Sequence, residues 1–97
     1  MRYEVRTTAV FHHWLRKLRD RRAVLAIANR VDRAAVGNLC DAEPVGKGVS
    51  EIRIFVGKGY RVYFCTRGAE LIVLLCGGDK STQQKDIKRA KALAETL

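Results

Sequence analysis

The run Leu71-Ile72-Val73-Leu74-Leu75-Cys76 constrains this chain most strongly, because it is apolar at every position and shows no alternation. A strand of that kind is covered on both faces, so it belongs in the middle of a sheet. Two shorter runs precede it. Residues 51–56 (Glu-Ile-Arg-Ile-Phe-Val) and 60–65 (Tyr-Arg-Val-Tyr-Phe-Cys) alternate, and successive strand side chains point to opposite faces. Glu51, Arg53, Arg61 and Tyr63 then share one face, and Ile52, Ile54, Val62 and Phe64 share the other. Taken as a three-residue loop, Gly57-Lys58-Gly59 pairs Ile52 with Phe64, Ile54 with Val62 and Val56 with Tyr60. That register sets Arg53 and Arg61 diagonally across the hairpin.

Before this extended region the periodicity is helical. Tyr3 and Val5 alternate with charged residues over positions 2–6, which predicts a short strand, and Thr7 or Thr8 can cap a helix after it. Phe11, Trp14, Leu15 and Leu18 fall on one helical stripe, with Arg16, Lys17 and Arg19 turned to solvent. Asp20 is a second N-cap, after which Val24, Ile27, Ala28, Val31 and Ala35 mark a second stripe that Gly37-Asn38 ends. Residues 43–45 are extended again. At the other end, Ser81 and Gln84 match a capping box opening a last helix, whose inner stripe is Ile87, Ala90, Ala94 and Leu97. The expected architecture is α+β: a strand and helical hairpin packed on a small, mainly antiparallel sheet, with a C-terminal helix.

A chain of 97 residues is expected to form one domain spanning 1–97. Its formal net charge of +9, from 19 Lys and Arg against 10 Asp and Glu, points to a phosphate-rich partner, with nucleic acid foremost. The plainer reading is a basic surface that keeps the domain soluble or meets an acidic protein. Cys40, Cys65 and Cys76 have no close spacing, so neither a disulfide framework nor a zinc knuckle is indicated, and they read as reduced, mostly buried thiols. His12 and His13 are adjacent, about 100° apart on a helix, a poor arrangement for one metal. No metal and no cofactor are expected. The N-terminus lacks the apolar run of a signal peptide and no stretch has the length to cross a bilayer, so the expected location is the cytoplasm, away from membranes.

Four polar side chains on one sheet face are often no more than a solvated surface with a cross-strand ion pair. Chemistry is favoured by the arginines, whose planar forks grip phosphate bidentately, and by Gly77-Gly78-Asp79-Lys80 at the end of the apolar strand. The glycines there allow close backbone approach to a ligand, and Lys80 stands near a helix N-terminus. Lys47, Lys58 and Lys85 extend the candidate nucleic-acid-binding set, with Tyr63 as a ring that stacks a base or orients the phosphate. Cys65 has no histidine in the pattern to activate it and reads as packing.

Longer motifs carry a resemblance. Gly37-Asn38, Val45-Gly46-Lys47-Gly48-Val49-Ser50-Glu51-Ile52-Arg53, Gly59-Tyr60-Arg61-Val62-Tyr63-Phe64 and Leu74-Leu75-Cys76-Gly77-Gly78-Asp79-Lys80-Ser81-Thr82-Gln83 resemble the RelE/HigB superfamily of bacterial toxins, in the branch labelled addiction module killer proteins. The resemblance implies a RelE-like fold and an mRNA interferase, an endoribonuclease acting on messages during translation at the ribosome. It also implies a cognate helix-turn-helix antitoxin of the HigA type, through which operator DNA is contacted only indirectly. By position, Arg61 matches the family's phosphate-binding arginine, Lys80 the basic residue after the last strand and Glu51 the acidic residue of the hairpin. Arg53 is a further candidate. Where relatives carry a histidine or tyrosine near the C-terminus, this chain has neither after Lys80, and Cys40 stands where the branch has glycine.

RNA brings its own nucleophile, the 2′-OH, so the protein need only take that proton, neutralise the phosphorane and protonate the leaving 5′-oxygen. The residues suggest Glu51 as base, Arg53 and Arg61 as clamps, and Lys80 as charge stabiliser or acid, without a metal. Beside two arginines Glu51 is a weak base, and the alternative is that it only holds Arg53 in place. Two further readings keep the charge but change the activity: a noncatalytic nucleic-acid-binding module, and a ParE-like gyrase inhibitor on the same fold.

Overall fold

In a computed structural model, residues 2–39 and 42–97 are described; Cys40 lies outside them. The elements are β1 (Glu4–Thr7), α1 (Ala9–Lys17), α2 (Arg21–Ala35), β2 (Ala42–Gly46), β3 (Val49–Ile54), β4 (Tyr60–Arg67), β5 (Leu71–Asp79) and α3 (Gln83–Glu95), with one 3₁₀ turn at Lys80–Thr82. One sheet has the order β1-β5-β4-β3-β2, antiparallel throughout except that β1 runs parallel to β5. The apolar run therefore lies in a central strand, as its composition requires. No described helix is long and apolar enough to cross a membrane.

Two layers cover that sheet. On one face Phe11, Ala23, Ile27 and Ala34 of α1 and α2 pack against Ile52, Ile54, Val62, Phe64, Ile72 and Leu74. On the other, Ala90 and Ala94 of α3 lie over Val49, Tyr63, Cys65, Val73, Leu75 and Cys76. A register shift in the β4–β5 ladder lets Leu75 and Cys76 both turn toward α3. Thr8 meets the carbonyls there: its N–H donates to Leu74 O at 3.1 Å and its hydroxyl to Leu75 O at 2.5 Å. The same hydroxyl accepts from Phe11 N–H at 3.0 Å and caps α1.

The helix ends follow local chemistry. Asp20 caps α2 by accepting from Arg22 and Ala23 N–H, and α2 closes with Gly37 N–H donating to Ala34 O and Asn38 N–H to Arg33 O. Gly37 takes φ +94°, the left-handed position that such a closure reserves for glycine. The inner face of α2 is rotated from the expected stripe: Ala23, Ile27, Arg30 and Ala34 are buried, whereas Ala28 is exposed.

Three expectations need correction. The hairpin register is Ile54↔Tyr60, Arg53↔Arg61, Ile52↔Val62 and Glu51↔Tyr63, so the connection runs through residues 55–59 and the arginines stand directly opposite. A slip of two positions keeps every side chain on its face, which is why alternation alone does not choose between the registers. The capping box does not form either. Asp79 accepts from Ser81 N–H at 2.8 Å and from the Ser81 hydroxyl at 2.5 Å, while Thr82 stands at the N-cap of α3 with its hydroxyl turned to Asp86 Oδ2 at 2.5 Å. Finally, Asp86 joins Ala90 and Ala94 on the buried stripe of α3, and Leu97 is exposed.

Candidate functional site

The sheet face that carries the charges is roofed along part of its length by α3, which divides the expected site into a buried layer and an open one. Glu51 is 2% exposed and Tyr63 is fully enclosed. The Glu51 carboxylate accepts from Arg53 Nε at 3.1 Å and from Gln83 Nε2 at 3.3 Å, and forms an ion pair with Arg61 Nε at 3.6 Å. Two arginines directly opposite on neighbouring strands repel, and this carboxylate between them offsets that repulsion. Glu43 on β2 adds a looser pair to Arg53 at 3.8 Å.

Tyr63 cannot stack a base, because no face of its ring meets solvent. Its hydroxyl is buried without a hydrogen-bond partner among the described residues, and burial, then the charges of Glu51 and Asp86, hold its pKa far above the ordinary tyrosine range. Nearby, Cys76 is pushed up to about 11 by burial first and Asp86 second, so it stays a neutral thiol. Burial likewise raises Cys65. Both cysteines are buried and free.

The glycine pair also serves packing rather than a ligand. A Cβ on Gly77 would overlap the Trp14 ring, and one on Gly78 would overlap the Asp86 carboxylate. The two glycines thus let α1 and α3 approach β5 from opposite sides, and that approach fixes where Lys80 emerges.

Open to solvent is a groove of about 490 Å³ at the end of the β3–β4 hairpin. Its lining includes Arg53, Phe55, Lys58, Tyr60, Arg61 and Lys80, and no carboxylate among the described residues. The loop that shapes it depends on glycine: Gly57 and Gly59 take φ +57° and +77°. Lys80 N–H donates to Gly59 O at 3.1 Å, tying the loop to the end of β5, and Tyr60 packs edge-on to Trp14 beneath it. The arginines differ in access, with side chains 42% exposed for Arg53 and 11% for Arg61. Next to the groove, the Ser81 hydroxyl lowers the pKa of Asp79, helped by backbone donors and Lys58.

Of the candidate residues, Arg53, Arg61, Lys58 and Lys80 converge on this groove, and Glu51 lies behind two of them. Lys47 and Lys85 do not join it. Lys47 sits in the β2–β3 turn, paired at 3.6 Å with Glu95 at the far end of α3, and Lys85 is exposed on the first turn of α3. Two contributors carry no signal of their own in the sequence. Gln83 is hidden inside the capping-box pattern, and Phe55 reads as one more strand residue; Asp86, Ala90 and Ala94, spaced by four, do carry a legible signal of a buried stripe.

A five-stranded sheet with one parallel edge, an N-terminal helical pair on one face and a C-terminal helix on the other defines the class: small basic proteins of the RelE fold. A double arginine-to-alanine variant of the Escherichia coli toxin RelE in the free state superposes with TM-score 0.70 at 13% identity, over 92% of this chain and 98% of that one. Isolated E. coli RelE gives 0.62 at 14% identity, over 90% and 97% of the chains. The RelBE2 toxin–antitoxin complex of Mycobacterium tuberculosis gives 0.56 at 24% identity, over 82% and 100%. More narrowly, the chain belongs to the family described as Phage derived protein Gp49-like (DUF891), which matches residues 13–97. A Haemophilus influenzae protein described as uncharacterized is 48% identical over 97 residues, covering 100% of this chain and 98% of its own length.

Proposed function

We propose that this protein is the toxin of a toxin–antitoxin pair and that it cleaves messenger RNA in the groove at the β3–β4 end of the sheet. The observation that carries the reading is the convergence of Arg53, Lys58, Arg61 and Lys80 on one groove. Such a site attracts a phosphodiester and stabilises the extra charge that develops as it is attacked. The fold shared with RelE toxins supports the toxin role, and a relative solved as a toxin–antitoxin complex supports an antitoxin partner. The expected partner is a small helix-turn-helix protein, and the expected setting is a message on the ribosome in the cytoplasm.

The reaction is an internal transesterification. The ribose 2′-oxygen gives its proton to water and bonds to the adjacent phosphorus, the bond to the 5′-oxygen breaks, and that oxygen takes a proton from Lys80. The products are a 2′,3′-cyclic phosphate and a 5′-hydroxyl. Arg53 and Arg61, opposite one another, grip the nonbridging oxygens; Lys58 adds positive charge, and Lys80 donates to the leaving oxygen. Glu51 is assigned a different role from the base expected of it: enclosed and engaged by Arg53, Arg61 and Gln83, it is a positioning residue that sets the arginine pair. One well-placed donor of this kind contributes roughly 10²- to 10³-fold to the rate, and proton transfer roughly 10²- to 10⁴-fold.

Inducible expression with mapping of RNA 5′ ends tests the reading. Wild type is expected to produce new 5′-hydroxyl ends inside translated codons, and Arg61→Ala to reduce them by roughly 10²- to 10³-fold. Intact messages with failed supercoiling would replace it with a gyrase target, and salt-sensitive RNA binding without cleavage would replace it with a noncatalytic module.

A further inference from the structure

Phe55 is 86% exposed, more than any other large apolar side chain among the described residues. It is the first residue of the connection after β3, next to the paired Ile54. Its surroundings are not those of a stray surface hydrophobe. Phe55 lines the cation groove, and together with Arg53 it also lines a second groove of about 210 Å³ on the α2 side, where Asn29, Arg30 and Arg33 complete the polar wall. Among the described residues the lining of the second groove likewise holds no carboxylate. An aromatic ring thus stands as a ridge between two basic channels that share an arginine.

We infer that Phe55 is a base-stacking platform, and that a single RNA strand crosses it from the cation groove to the channel edged by Asn29 and Arg33. This rests on the proposed function, since a phosphate held between Arg53 and Arg61 brings its neighbouring nucleotide against the ring. Along a single strand, phosphates alternate with flat apolar bases. Cations on both sides of one exposed ring match that alternation, because the phosphates meet the arginines while the base covers the phenyl face that water wets poorly. Stacking of this kind accepts every base but favours the larger purine surface, so Phe55 sets a preference at one position beside the cut. Arg33, exposed on α2, contacts the phosphate on the far side of the ridge.

A translating cell-free system with mapped 5′ ends, supplied with wild type, Phe55→Ala, Phe55→Leu, Phe55→Trp, Arg33→Ala and Arg61→Ala, provides the test. Phe55→Ala and Phe55→Leu are expected to slow cleavage roughly 5- to 100-fold and to flatten the nucleotide preference at one position flanking the cut. Phe55→Trp should restore both, Arg33→Ala should slow cleavage a few-fold, and thermal unfolding should be unmoved because the ring is outside the core. Cleavage by Phe55→Ala at the parental rate and with parental preference, while Arg61→Ala fails, would overturn the stacking role and leave the proposed function standing. If wild type leaves messages intact, the proposed function falls and this inference with it. Retained cleavage with lost co-purification of the antitoxin would make Phe55 a protein contact, and would overturn the RNA path equally.

Discussion

Glu51 illustrates at the scale of one residue how burial reassigns a role that sequence position alone suggests. The enclosed carboxylate accepts from Arg53 and Gln83 and pairs with Arg61, so its oxygens are already engaged and closed off from a substrate hydroxyl. If its task is to orient the arginines, Glu51→Gln keeps an acceptor for Arg53 Nε and should retain cleavage within roughly tenfold, with the acid limb of the pH–rate profile unchanged. Glu51→Ala removes the acceptor and leaves opposed arginines at the edge of the core, costing about 1–3 kcal/mol in denaturant unfolding and more activity than the glutamine variant. A well-folded Glu51→Gln that cuts nothing would make Glu51 the base after all. That Glu51, Arg53, Arg61 and Tyr63 share a face was legible from a period of two. That the face is roofed over Glu51 and Tyr63 was not, because the roof comes from a helix well beyond the hairpin in sequence, and alternation reports a side chain's direction but not what lies above it.

The elements meet through small features that propensity does not reveal. On opposite faces of β5, Gly77 admits the Trp14 ring and Gly78 admits the Asp86 carboxylate, so a single methyl at either place separates a helix from the sheet. Gly77→Ala should destabilise by about 1–3 kcal/mol through overpacking, and because Trp14 is the sole tryptophan its fluorescence should shift in the folded state. By contrast a Cβ on Gly59 meets open space, and the cost of Gly59→Ala is the left-handed backbone alone, about 1–2 kcal/mol, with unchanged tryptophan emission. Equal fluorescence changes in the two variants would contradict this division. Element types and order were readable because stripes and alternation are strong over these lengths. The hairpin register was not, since a shift of two positions preserves every face. The start of α3 escapes a hydroxyl-cap pattern because Asp79, two residues before Ser81, offers a carboxylate that takes the serine instead.

Across the whole molecule two titrating, charged properties set the working range. Cys76 holds its proton up to about 11 in the folded chain against an ordinary thiol value of 9.0, so unfolding releases that proton earlier. Stability from this group is complete below the ordinary value and is lost as pH rises through the folded one, amounting to about 2–3 kcal/mol at about 1.4 kcal/mol per unit. Tyr63 acts in the same direction at still higher pH. Cys76→Ala should therefore flatten the fall in unfolding free energy between pH 9 and 11, and an unchanged slope would exclude Cys76 as its source. On the proposed function, net charge governs encounter with the RNA strand. With +9 formal charges and a groove of four cations, binding of single-stranded nucleic acid should weaken steeply with salt. For a strand each neutralised phosphate contributes about −0.7 to the slope of log K against log salt, so three contacts give a slope of about −2. A 2′-deoxy oligonucleotide, which lacks the nucleophile and cannot be cut, isolates this term. Lys58→Ala should reduce the slope by about 0.7 whatever the base sequence, because it removes one phosphate contact and no base contact, whereas Phe55→Ala should weaken binding without altering the slope. If both variants change the slope alike, the division of the groove into charge-bearing and stacking walls is wrong.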